Sequence, residues 1–357
     1  MRSFLFVLLA ALSIDASASL DDVQLPPGFA IEEYADVPKA RSLALGDRGT
    51  VFVSTRKARS VYAIVEQDDG SRRVIEILTG LRTPNGIAFF EGDLYVAEIS
   101  RVIRYDDVED RLESMPDGVV LDIDLPSDRS HGWRYIGFGP DRKLYIAIGA
   151  PCNICNEFGY AKIVRMNPDG SDREIFASGV RNSVGFTWHP DTDELWFTDN
   201  GRDMMGDDLP PCELNRAPRQ GLHFGYPFCH GDDIPDPRYG RDRDCRDYTP
   251  PVQQLGPHVA PLGLKFYTGD MFPPAYRGQV FIAEHGSWNR SKKIGYRITL
   301  VRLDGNEAVS YEPFASGWLQ GQSVSGRPVD LIVKDDGSLL VSDDYAGKVY
   351  RITYKGD

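Results

Sequence analysis

Histidine, arginine and amide side chains recur in this 357-residue sequence at two kinds of place. Arg41, Asn85, His131 with Arg134, Arg181-Asn182, His258 and Arg327 each stand just before a short apolar run. Arg56, Glu98, Asn200-Gly201-Arg202, His285 and Asp343-Asp344 each stand just after another. Turns attract Asn, Asp and Arg in any case, so the inference rests on the set rather than on any one member. Arginine forks match carboxylates at two points, and several facing one space in a chain of net charge −13 imply an anionic small ligand. His131, in the polar turn SDRSHGWRYIGF, has the ordinary pKa of a general base working near neutrality. Its alternative is a histidine that satisfies loop backbone, the role assigned here to His189. The stretch TDNGRDMMGDD (198–208) offers hard oxygen ligands, and carbonyls at Gly201 and Arg202 suit calcium, although the spacing is not that of an EF-hand. A solvated acidic loop has the same composition.

These residues gain a common address from a repeat. The phrases VFVSTR (51–56), LYVAEI (94–99), LYIAIG (144–149), LWFTDN (195–200), VFIAEH (280–285) and LLVSDD (339–344) start 43, 50, 51, 85 and 59 residues apart. Each is preceded by an apolar run closed by Gly, Asp or Pro, such as GIAFFEGD (86–93), the signature of a hairpin. Third and fourth strands follow, as in SVYAIV (60–65) and RVIEIL (73–78). This period predicts an all-β six-bladed β-propeller with four-stranded antiparallel blades. The last unit has three strands, so FAIEEYADV (29–37) is predicted to complete it and close the ring, removing exposed edges. In such a meander the first strand of each blade lines the channel. Its start and the end of the second strand then meet at one mouth, where the residues above would converge.

Met1–Ala18 has the form of a cleavable secretory signal: Arg2, an apolar stretch Phe4–Leu12, then Ala16-Ser17-Ala18. Its apolar stretch is far short of the about 20 residues of a spanning helix. A periplasmic or secreted location, without membrane insertion, is therefore expected, with residues 19–357 as one domain. The acidic balance argues against nucleic acid as a partner. In an oxidising compartment Cys152 pairs with Cys155 and Cys229 with Cys245, leaving Cys212 free. A redox-active or zinc-binding CxxC is the alternative for the first pair. Residues 201–260 are expected to be a long insertion, and 286–296 a lengthened turn; irregular stretches of this length are usually functional or disordered.

The segments HGWRYIGFGPDRKLYIAIGAPCNIC, GVRNSVGFTWHP, LWFTDNGRDMMGDDLPPCELN, GLHFGYPFCHG, FIAEHGSWNRSKKIGYR and GRPVDLIV resemble the glucose/sorbosone dehydrogenase family, most closely its sorbosone-dehydrogenase-like branch. The resemblance spans essentially all of the mature chain. It implies a secreted propeller using pyrroloquinoline quinone (PQQ) and calcium to oxidise an aldose or sugar-derived aldehyde. It implies His131 as the base taking the hydroxyl proton while a hydride passes to the quinone. Arg181, Asn182, Arg327 and, from its blade position, Asn85 would contact the cofactor. His285 and Trp288 would flank it, the tryptophan by stacking, and the Gly201 and Arg202 carbonyls would hold calcium. The electron acceptor would be a cytochrome or a quinone. Three departures point away from glucose as the substrate. Ser130 stands where the glucose dehydrogenases place Asp, and Arg327-Pro328-Val329 stands where they have Arg-x-Arg. Their quinone-facing Lys has no counterpart among His285, Arg290 and Lys292. Asp128 is then the candidate for orienting His131.

Two rival functions share this fold. A calcium-dependent lactonase or esterase would use Asn85, Asn182 and Asp330 as ligands, but it leaves His131 and the arginines unexplained. A non-catalytic binding propeller would grip its partner with the 201–260 segment.

Overall fold

The second strand of every blade is buried on both faces, which explains why its sequence is almost continuously apolar rather than alternating. Blades stack like pages, so a central strand meets a neighbouring sheet on each side. The computed structural model describes residues 20–356, and the signal segment lies outside the described residues.

Blade 1 is Leu43–Leu45, Val51–Thr55, Ser60–Glu66 and Arg72–Leu78; blade 2 is Ile87–Phe90, Asp93–Ala97, Val102–Tyr105 and Val119–Val120. Blade 3 is Ile136–Phe138, Leu144–Ile148, Lys162–Met166 and Glu174–Ser178, with Leu222–His223 added in parallel at its outer edge. Blade 4 is Phe186–Trp188, Leu195–Asp199, Pro211–Ala217 and Gln253–Pro257; blade 5 is Pro261–Phe266, Val280–Glu284, Arg297–Asp304 and Glu307–Ala315. Blade 6 is Pro328–Val333, Leu339–Asp343 and Lys348–Tyr354, and Phe29–Asp36 completes it. That closing pair runs antiparallel from Phe29 opposite Tyr354 to Asp36 opposite Lys348, so the ring closes as the sequence predicts.

Blade 4 corrects one expectation. Residues 201–260 are not wholly an insertion, because they contain that blade's third and fourth strands. The irregular excursions are 200–210 and 218–252. PCELNRA hides its strand character because two inward positions are polar. Glu213 and Asn215 are both buried, and the Asn215 amide donates to Glu213 Oε2 at 3.0 Å.

Small residues near the end of the second strands let the blades approach one another, and hydroxyls there tie blade to blade. Thr198 Oγ1 donates to the Leu262 carbonyl of blade 5 at 2.6 Å. Ser54 donates to the Asn85 carbonyl of blade 2, and Ser342 to the Arg41 carbonyl of blade 1. Apolar side chains fill the wedges between blades, for example Phe52, Val61, Ile87 and Leu94 between blades 1 and 2. Both expected disulfides are present, and Cys212 is free and buried. Cys229–Cys245 closes the 218–252 excursion on itself. Among the described residues no helix is long and apolar enough to cross a membrane.

Candidate active site at the channel mouth

Where the first strands begin and the second strands end, their connections enclose a cavity of about 270 Å³. His131, Arg181, Asn182, Gly201, His285, Trp288 and Arg327 all line it, with Arg41, Arg56 and His258. Of the residues expected to hold cofactor or metal, Asn85 and Arg202 do not line it, and each has a physical reason given below.

His131 sits in a left-handed backbone conformation, φ 46°. Its ring Nδ1 lies 2.7 Å from the Ala150 carbonyl, which can only accept, so Nδ1 carries the proton and Nε2 is left as the free base nitrogen. Glycine at 149 makes this position possible, since a Cβ there would lie 2.7 Å from His131 Cβ. Burial, then the positive charge of Arg181, pulls the imidazole down from 6.5 to about 4, so it is neutral at physiological pH. Asp128 does not orient it; that carboxylate accepts from the Tyr160 hydroxyl instead.

Arg181 acts as a clamp within the wall. Its Nε and Nη2 reach the Asn153 carbonyl and side-chain oxygen, both at 2.9 Å, and Nη1 reaches the Asn200 carbonyl at 2.9 Å. Asn153 lies inside the Cys152–Cys155 loop, so this disulfide shapes the cavity wall. Asp199 receives the backbone N–H groups of Arg181 at 2.7 Å and Asn182 at 2.6 Å. Asp343 does the same for Arg327 at 2.9 Å. These exit acids fix backbone rather than bind ligand. The Asn182 side chain makes no hydrogen bond among the described residues and faces the cavity with its amide uncommitted.

On the opposite wall one carboxylate joins two candidates. Asp344 accepts from Arg41 Nη1 and from His285 Nε2, each at 2.8 Å. Burial pushes this acid up, but the His285 and Arg41 donors outweigh burial and hold it well below the usual carboxylate range. His285 falls to about 4 through burial, with the Asp344 contact opposing. Arg41 Nε donates to Asn85 Oδ1 at 3.0 Å, while its Nη2 is buried without a partner. Asn85 is therefore fully buried behind Arg41 and positions it. Arg56 lies over the Trp133 ring, 4.0 Å from its centroid. Arg327 Nε donates to the His285 carbonyl at 3.1 Å. Trp288 is 70% exposed at the rim.

Arg202 turns its side chain away, to Asp236 at 2.5 Å, which also holds His230. The Gly201 and Arg202 carbonyls accept no hydrogen bond among the described residues. Trp133, Asp203 and Cys212 also line the wall, and none was given a site role of its own from sequence. Trp133 had a signal, two residues beyond His131 in the same turn; a buried free thiol on a blade strand had none. Of the Asn85, Asn182 and Asp330 set that a lactonase would need, only Asn182 reaches this cavity. Asp330 is turned to the Leu43 N–H at 2.9 Å.

Comparison with known proteins agrees with this arrangement. The TrAA12-like family matches residues 23–355. An uncharacterized protein of Borreliella burgdorferi is 32% identical over 98% of this chain and 95% of its own length. The pyrroloquinoline quinone-dependent pyranose dehydrogenase of Coprinopsis cinerea is 23% identical over 88% of this chain, which spans only 38% of that protein. Among solved structures, the calcium structure of the Trichoderma reesei family AA12 enzyme superposes with a TM-score of 0.81 at 19% identity, covering 93% of this chain and 97% of that one. The holo PQQ domain of the Coprinopsis cinerea pyranose dehydrogenase gives 0.77 at 19%, with the same coverage. The chain belongs to the TrAA12-like family and stands among the relatives of the PQQ-dependent sugar dehydrogenases.

Proposed function

We propose that this protein is an exported PQQ- and calcium-dependent sugar dehydrogenase that oxidises an aldose or a sugar-derived aldehyde of the sorbosone type. A cytochrome or quinone would be its electron acceptor. The observation that carries this reading is an unprotonated His131 Nε2 in a cavity that Arg41, Arg56, Arg181 and Arg327 also line.

The donor set fits a flat tricarboxylate. Arg41 has a buried, unpartnered Nη2, and Arg56 and Arg327 have no carboxylate within ion-pair distance among the described residues. Asn182 adds an uncommitted amide. The Gly201 carbonyl, in the cavity wall, and the neighbouring Arg202 carbonyl are free hard-oxygen ligands of the kind calcium takes. PQQ, held by Arg41, Arg56, Arg327 and Asn182, would supply a two-electron oxidant, and calcium on the Gly201 and Arg202 carbonyls would supply Lewis acidity. The chain's own residues do the rest. His131 Nε2 takes the proton from the substrate hydroxyl, its ring fixed by the Ala150 carbonyl. Burial, with Arg181 second, keeps the imidazole neutral beforehand, and the Arg181 clamp on Asn153 and Asn200 holds the wall. Trp288 at the exposed rim would stack on the cofactor.

The test is dye reduction by the protein reconstituted with PQQ and calcium, across a panel of aldoses and osones. Turnover that requires PQQ and is lost in His131→Ala supports the proposal. Acid release from a lactone with calcium alone would overturn it, as would failure of the protein to take up PQQ.

A further inference from the structure

A second cleft, of about 910 Å³, adjoins the mouth and shares Arg56 and Trp133 with it. Its wall carries Arg56, Lys57, Arg59, Arg82, Arg101 and Arg129. The one carboxylate there, Glu98, is buried and already receives the Arg101 guanidinium and the Arg82 backbone N–H. Arg59 is held by the Leu81 and Gly80 carbonyls. The side chains of Arg56, Lys57, Arg82 and Arg129 make no ion pair or hydrogen bond among the described residues. Many cations elsewhere on this acidic surface are matched with acids, as Arg48 is with Asp110, Arg165 with Glu174 and Arg351 with Asp336. Like charges gathered without counter-charges repel one another, and a bound anion relieves that repulsion.

We propose that this cleft binds a carboxylate-bearing saccharide chain, an oligouronide, whose terminal residue enters the mouth. The substrate is then an acidic oligosaccharide; this deepens, and rests on, the sugar dehydrogenase reading of the mouth. Three observations favour a saccharide over an acidic protein. The cleft is concave and of small-ligand size. It runs into the His131 cavity through two shared residues. Thr83, Ser100 and Ser127 add hydroxyls suited to sugar hydroxyls between the cations.

The test compares the wild type with the triple variant Lys57→Gln, Arg82→Gln, Arg129→Gln; these side chains make no contact on which folding depends, and an unchanged melting temperature checks that. Calorimetry on the protein without PQQ should show binding of trigalacturonate but not of maltotriose. That binding should weaken with added NaCl and fall at least tenfold in the variant. With PQQ and calcium loaded, the variant should raise KM for trigalacturonate about tenfold and leave kcat/KM for a neutral aldose within about twofold. Trigalacturonate binding that is absent, or unchanged in the variant, overturns the proposal, while neutral-aldose turnover still upholds the dehydrogenase reading. Salt-sensitive trigalacturonate binding with no PQQ-dependent turnover of any sugar sinks the dehydrogenase reading and leaves the anionic-saccharide site standing. A variant that slows reduction of ferricyanide but binds trigalacturonate normally makes the cleft a docking surface for an anionic acceptor, and the saccharide proposal fails.

Discussion

The channel has two openings, built from opposite ends of the same six strands, and they share almost no chemistry. At the mouth, the residues just before those strands are Arg41, Arg181-Asn182 and Arg327, with His131 near by. At the far opening, of about 360 Å³, the strand ends contribute Leu45, Phe89, Phe138, Trp188, Phe266 and Val333. Its Lys265 is answered by buried Asp330, whose pKa burial pushes up to about 6 while Lys265 opposes. The backbone ring is common to both, so the difference lies in the connections. First and second strands are joined by short turns, except in blade 5, and those turns leave little chain to aim side chains inward. Connections between blades, and between second and third strands, end at the mouth, and the long ones among them are 121–135, 149–161, 200–210, 285–296 and 316–327. Propeller closure thus supplies a hole, and loop length decides which end of it becomes a site.

Breaking the comparison outright takes one residue from each end. His131→Ala should lower kcat/KM for the best sugar by about 10³-fold, within the usual worth of a general base, whereas Thr268→Val at the far opening should leave it unchanged. Equal effects from the two would make His131 a packing residue. A subtler lesion targets geometry alone. Gly149→Ala puts a methyl 2.7 Å from His131 Cβ, so the imidazole must shift. A loss of about 10²-fold in kcat, without a matching loss of PQQ affinity, is expected for a displacement on the order of 1 Å.

The two arginines singled out for cofactor contact should separate within the mouth itself. Arg327 has few internal commitments, so Arg327→Ala should weaken PQQ binding by about 10-fold to 100-fold, the worth of one charge-assisted hydrogen bond, and barely move the melting temperature. Arg181→Ala leaves the Asn153 and Asn200 acceptors bare in a half-buried wall, and should cost about 1–2 kcal/mol of stability. Cofactor titration and urea unfolding on both variants check the split. Interchanged outcomes would mean that Arg181 is the ligand fork and Arg327 the strut.

Much of this architecture is legible from one phrase, because a strand buried on both faces must be apolar throughout and must recur once per blade. Blade 4 resists the same reading, since Glu213 and Asn215 interrupt the pattern and their mutual hydrogen bond exists only in three dimensions. Position before a first strand brings Arg41, Arg181 and Arg327 to the cavity wall, but it cannot say which way a side chain turns. Asn85 has the right address and is spent on Arg41 Nε. The orienting partner of His131 is illegible for a deeper reason: it is the carbonyl of Ala150, and a carbonyl carries no residue-type signal. Asp128 drew notice only because acids are the partners that sequence can display.

The finest test of the contrast is the protonation of the mouth itself, in protein free of PQQ. An unfolded histidine titrates near 6.5, and folded His131 is drawn to about 4 by burial and then by Arg181. Between those two pH values the unfolded chain holds a proton that the folded chain lacks. Stability must therefore be fully present above about 6.5 and decline as pH falls toward 4. His131→Gln removes one such proton, so wild type should lose ground against the variant by up to about 1.4 kcal/mol per pH unit across that window, and by nothing above it. Urea midpoints of both proteins at several pH values give the slope, and His285, also near 4, contributes equally to each and cancels. A flat difference would place the His131 imidazole in water rather than against Arg181. The mouth would then have lost the one electrostatic feature that most separates it from the far opening.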